Sequence, residues 1–127
     1  MNKPILCLDF DGTMHSYASG WQGAVIIPDP PVDGLYEFLQ RASEHFELAV
    51  YSARSHQEGG IEAMKAWLYF WAPDWVTCGL LQGLQFPLEK PPAFLTIDDR
   101  ALMFTGVWPD PDALLEFKPW YKNIVLK

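Results

Sequence analysis

The stretch "PILCLDFDGT", Pro4 to Thr13, constrains this chain more than any other. A short apolar run without alternation suits a strand buried on both faces of a parallel sheet. It leads directly into two aspartates one residue apart, followed by a glycine. Residues i and i+2 leave an extended strand on the same side, so Asp9 and Asp11 can share one face while Phe10 turns into packing. Gly12 then lets the chain turn sharply.

Strands and helices alternate along the rest of the chain. "ELAVYS" reads as a second buried strand, and "AFLTI" as a third that runs directly into Asp98 and Asp99. Between the first two, "PDPPVDGLYEFLQRASEHF" opens on an aspartate-proline signal that predicts a capped helix. Its apolar face is Leu35, Phe38, Leu39 and Ala42, closed by Phe46. "IEAMKAWLYFW" predicts a second helix with Ile61, Met64, Leu68 and Trp71 on one face. "VTCGLLQGLQF" predicts one or two short strands broken by glycines, one of them at Leu84 to Phe86. "WPDPDALLEF" repeats the aspartate-proline start of a helix, and "NIVLK" suits a last strand or an ordered tail. This order argues for an α/β layer fold with a mainly parallel sheet and right-handed crossovers.

With 127 residues, half of them hydrophobic, residues 1–127 make one domain with a real core. The net charge of −7 repels polyphosphate backbones, so nucleic acid is possible but not favoured. Cys7 and Cys78 lack metal-ligand spacing and read as buried thiols in a reducing compartment. No secretory signal precedes the first strand, and no segment reaches the roughly 18 apolar residues of a membrane span. These features lead us to expect a cytoplasmic protein with no membrane partner.

Polar residues at the carboxyl ends of neighbouring parallel strands converge on one crevice. Here they are Asp9 and Asp11, Ser52 and Arg54, and Asp98 and Asp99, with Lys90 a short loop ahead of the third strand. Carboxylates gathered in one place repel each other unless a cation sits among them. Oxygen-only ligands favour a hard ion such as Mg²⁺, which shares phosphate oxygens with a substrate. With a lysine and a hydroxyl beside it, the crevice suits a phosphoryl group, whose transfer needs mainly positioning and positive charge.

"DFDGT", Ser52, Lys90 and "IDDR", in that order, resemble the four motifs of the haloacid dehalogenase-like phosphohydrolases. The resemblance runs from about residue 5 to about residue 105 and departs in having serine at the second motif and a paired "DD" at the fourth. It implies a Rossmann-like three-layer sandwich and a phosphomonoester hydrolase. Asp9 would be the nucleophile that forms an aspartyl-phosphate, and Asp11 the acid and base. Mg²⁺ would be held by Asp9, the backbone carbonyl of Asp11, and Asp98, with Asp99 a ligand or a water-mediated partner. Ser52, Ala53, Gly12 and Lys90 would surround the phosphate, with Lys90 between it and the nucleophile.

Each element has a plainer alternative: a turn at Asp11-Gly12, a capping Ser52, a solvated Lys90, a structural Asp99-Arg100 ion pair. Arg54 is similar in position to a substrate-binding arginine in the 3′-phosphatase domain of phage polynucleotide kinases, which suggests a nucleic-acid end phosphatase as a second reading. It could equally be a loop arginine in water. An idle binding protein of the same fold is a third reading. His15 and His56 read as surface histidines on loops near the site, and His45 as a solvated helix-end residue.

Only a short flap around residues 14–28 fits between the first motif and the first helix, and the chain between Arg54 and Lys90 is already used by its own elements. No cap domain is therefore expected, which leaves an open site. Trp67, Tyr69, Phe70, Trp71 and Trp75 lie too close in sequence to face one core layer, so a homo-oligomer through an aromatic patch is possible. Trp21 could stack on a substrate or pin the flap.

Overall fold

The computed structural model describes residues 3–122. It is a mixed α/β fold around a three-stranded parallel sheet of β1 (Ile5–Leu8), β2 (Glu47–Val50) and β3 (Leu95–Ile97) in the order β2-β1-β3. The register aligns the strand ends: Leu8 pairs with Val50 on one side and with Ile97 on the other. Asp9, Tyr51 and Asp98 therefore leave the sheet at one level, which is how sequence pattern becomes a site. Gln85 extends the β2 edge by a single parallel bridge to Ala49, so the strand expected at Leu84 to Phe86 is reduced to that pairing.

Among the described residues four α-helices accompany the sheet: α1 (Leu35–Ala42), α2 (Gly60–Trp71), α3 (Trp75–Leu81) and the single turn α4 (Pro111–Leu114). The core joins Leu6, Leu8 and Phe10 from the first strand and its exit to Leu39, Val50, Met64, Leu68 and Leu81. Helical faces differ from expectation in detail. Phe38 and Trp71 stand exposed, while Trp67 takes a core place because its indole nitrogen donates to the Asp29 carbonyl at 2.9 Å.

Three expectations about elements are corrected. "VTCGLL" is helical rather than extended: Asp74 caps α3 by accepting from the Thr77 N–H at 2.8 Å, and that local bond outweighs the strand preference of Val76 and Thr77. Asp29 does not cap α1, which starts after Gly34 with no side-chain cap; its carboxylate instead accepts from the Ser19 N–H and hydroxyl, both at 2.7 Å. β3 forms but is not buried. Leu95 is 54 % and Ile97 37 % exposed, because among the described residues β3 is a sheet edge and α4 contributes no buried residue to cover it.

Cys7 is buried as expected, whereas Cys78 is only partly so. The "NIVLK" segment lies outside the described residues. Among those described, no helix is long and apolar enough to cross a membrane.

Candidate active site

The exits of all three strands meet in two adjoining clefts. One, of about 320 Å³, is lined by Asp9, Asp11, Ser52, Asp98 and Asp99 among others. The other, of about 220 Å³, adds Lys90 to Asp9, Ser52, Ala53 and Asp98. Larger clefts, of about 450 Å³ at Lys3 and Phe46 and about 580 Å³ beside α1, lie away from both acid pairs. We place the candidate site by its converging carboxylates rather than by cleft size.

Asp9, Asp98 and Asp99 each bring a carboxylate oxygen within 4.8 Å of the others. Asp9 is pushed up to about 8 by burial first, then by a hydrogen bond with Asp99 and the negative charge of Asp98 and Asp99. Acids gathered this closely repel one another, which the raised Asp9 reflects, and hard oxygen donors so placed fit a divalent ion such as Mg²⁺.

A test follows from this strain. The unfolded chain loses the Asp9 proton near 3.8 while the folded chain keeps it to about 8. Between those values the folded state binds more protons, so metal-free stability falls as pH rises through the window. We expect the thermal midpoint in EDTA to be lower at about pH 8 than at about pH 5, with Mg²⁺ shrinking the difference. Equal midpoints in EDTA would contradict the shift.

Gly12 lies at φ +82°, and a Cβ there would stand 2.3 Å from Asp99 Oδ2. Gly12→Ala is both strained and obstructive. The expected result is a loss of about 1–3 kcal/mol of stability by urea unfolding, together with weaker binding of Mn²⁺ as a probe ion in calorimetry.

Asp11 belongs to a different network. Burial pushes its carboxyl up, but hydrogen bonds from His15 and Arg54 and the Arg54 charge more than offset this, holding it below the usual carboxylate range. Arg54 Nε donates to both Asp11 oxygens, at 3.2 and 2.9 Å. Its Nη1 donates to the flap carbonyls of Gly23, Ala24 and Ile26 at 2.8, 2.8 and 3.2 Å. Nη2 is buried and finds no hydrogen-bond partner among the described residues.

Two sequence expectations are thereby overturned. Arg54 is fully buried and lines neither cleft, so it is neither a loop arginine in water nor placed to bind substrate, and His15, expected at the surface, is fully buried as well. The Asp29 backbone N–H donates to His15 Nε2 at 3.1 Å, so the imidazole proton sits on Nδ1 and is donated to Asp11 at 2.9 Å. The i, i+4 spacing of Asp11 and His15 carried no signal of this, because it is a bridge between Asp11 and His15, not a helix, that brings them together.

Ser52 does cap: its hydroxyl accepts from the Arg54 N–H at 3.1 Å and opens a 3₁₀ turn over Ala53–His56. Ser52 is itself buried, yet it lines both clefts. Ala53 and Lys90 are exposed at the rim, and Lys90 makes no ion pair among the described residues. His45 and His56 are exposed as expected.

Tyr17, Trp21 and Tyr121 also line the larger cleft. Of these, sequence reasoning named only Trp21. Trp120 Nε1 donates to the Gly12 carbonyl at 2.6 Å, which pins the end of the described chain against the first acidic turn. Such a contact between residues 108 apart leaves no local mark in a sequence. No family model matches the chain, and no curated protein or solved structure matches it either.

Proposed function

We propose that this protein is a Mg²⁺-dependent phosphomonoester hydrolase of the haloacid dehalogenase-like type, with a small capless core. The observation that carries the reading is the Asp9, Asp98 and Asp99 cluster at aligned strand ends, with Ser52 and Lys90 around the same cavity. When bound, Mg²⁺ supplies positive charge for the phosphoryl oxygens. Asp9, Asp98 and Asp99 would hold it. Because the Asp11 carboxylate is taken by Arg54 and His15, any ligand role for Asp11 falls to its backbone carbonyl.

The Asp9 carboxylate attacks phosphorus as the bond to the leaving alcohol breaks, and the alcohol oxygen takes a proton from Asp11. Water then attacks the aspartyl-phosphate, Asp11 accepts its proton, and phosphate leaves with Asp9 restored. Ionised at rest, Asp11 takes a proton from solvent before the first turnover, and from then on the proton it accepts from the attacking water is the one it gives to the next leaving alcohol. Ser52, the Ala53 and Gly12 backbone, and Lys90 position the phosphoryl oxygens. Arg54 is fully buried, Nη2 included, so its part in this reading is to hold Asp11 and the flap in place rather than to touch substrate.

The open site also keeps a nucleic-acid end phosphatase in view, against the −7 charge. That reading expects steep loss of rate with added salt on 3′-phosphorylated oligonucleotides. Phe70 and Trp75 are 78 % and 90 % exposed, which supports pairing of two copies through this aromatic patch. A cytoplasmic setting is part of the same proposal.

Phosphate release from a panel of phosphomonoesters, with and without Mg²⁺, tests the function. Release that needs Mg²⁺ and disappears in Asp9→Asn is expected. Release indifferent to both would overturn the assignment.

A further inference from the structure

The larger cleft has a second wall that the proposed chemistry does not use. Tyr17 and Trp21 from the flap and Tyr121 from the end of the described chain border the same cavity as Asp9 and Asp98. Their placement is specific. Tyr17 sits at φ 61°, the one non-glycine with positive φ among the described residues, a conformation costly for an aromatic side chain and found where surrounding structure imposes it.

Tyr121 is held from three sides. Its ring meets Tyr17 edge-to-face with centroids 5.8 Å apart, its hydroxyl accepts from Arg100 at 3.4 Å, and its neighbour Trp120 is bonded to the Gly12 carbonyl. Trp21 has the Arg54 guanidinium stacked on it, 4.6 Å from the ring centroid. The indole is still 46 % exposed. Backed by a buried cation and bordering the cleft, it is a fixed flat surface of the kind on which a planar ring stacks.

We propose that this aromatic wall binds the planar ring of the leaving alcohol, so that the preferred substrates are phosphorylated nucleosides taken as free mononucleotides. The proposal rests on the phosphatase reading for its chemistry but not for its binding. A cleft of about 320 Å³ is at the small end of ligand sites and suits one nucleotide rather than a strand. The −7 charge points the same way, because it repels a polyphosphate chain more than a single phosphate.

Adenosine 5′-monophosphate and ribose 5-phosphate present the same leaving oxygen and differ in the base. Calorimetry with the Asp9→Asn variant in Mg²⁺ isolates binding from turnover. We expect the nucleotide to bind at least about tenfold more tightly, the scale of one base on an aromatic face. Trp21→Ala and Tyr121→Ala should each erode that ratio towards one, while Trp21→Phe keeps most of it.

Equal affinities would overturn the stacking site, as would a preference that survives both alanine variants. Tighter binding of a 3′-phosphorylated oligonucleotide than of the mononucleotide would overturn the free-nucleotide assignment. Turnover by the wild type separates the two claims. Preferential binding without hydrolysis supports the stacking wall and sinks the phosphatase reading, whereas hydrolysis with no preference for the base does the reverse.

Discussion

Arg54→Met should be the most damaging single change to stability outside the apolar core, costing about 3–5 kcal/mol. The side chain is fully buried. Its loss leaves the Asp11 carboxylate partly buried with only His15 as a partner and frees the carbonyls of Gly23, Ala24 and Ile26 from their shared donor. Against a typical domain stability of about 5–15 kcal/mol, the flap and the first acidic turn should both loosen. Arg54→Lys should rescue little, since one ammonium cannot replace a planar fork that serves a carboxylate and three carbonyls at once. Urea unfolding of the two variants measures this. A loss under about 1 kcal/mol would show that the network contributes no more than a surface pair.

Asp9→Asn should have the largest effect on activity, at least about a thousandfold in kcat, because a neutral amide cannot form the acyl-phosphate. The same change should not weaken the fold. Asp9 is crowded by Asp98 and Asp99 and pushed up to about 8, so removing its charge relieves repulsion, and the metal-free variant should match or exceed the wild type's thermal midpoint at about pH 8. Phosphate release and thermal unfolding on the same samples check both halves. Lost activity with lost stability would point to misfolding rather than chemistry.

The residues that converge on the cleft were legible because parallel strands in register bring their carboxyl ends to one level. Asp9, Ser52 and Asp98 each follow an apolar run, and the aligned pairing of Leu8, Val50 and Ile97 does the rest. What sequence concealed depends on contacts between distant segments. Nothing near His15 marks it as buried, since its partner Asp29 lies across the flap and is itself fixed by Ser19 and Trp67. The burial of Arg54 leaves no mark in the sequence, because the carbonyls it serves belong to a loop without regular structure. The α3 helix was readable in hindsight from Asp74 ahead of Thr77, a cap signal masked by β-favouring neighbours. The exposure of β3 is not legible either, because an apolar run cannot say whether a helix will cover it.

The most direct test of the central claim is peptide mapping by mass spectrometry of protein quenched in acid during turnover of a phosphomonoester with Mg²⁺. A phosphoryl group on the peptide containing Asp9, absent when Mg²⁺ is withheld and absent in Asp9→Asn, is the predicted result. Turnover with the phosphoryl group on another residue, or unchanged turnover in Asp9→Asn, would contradict it.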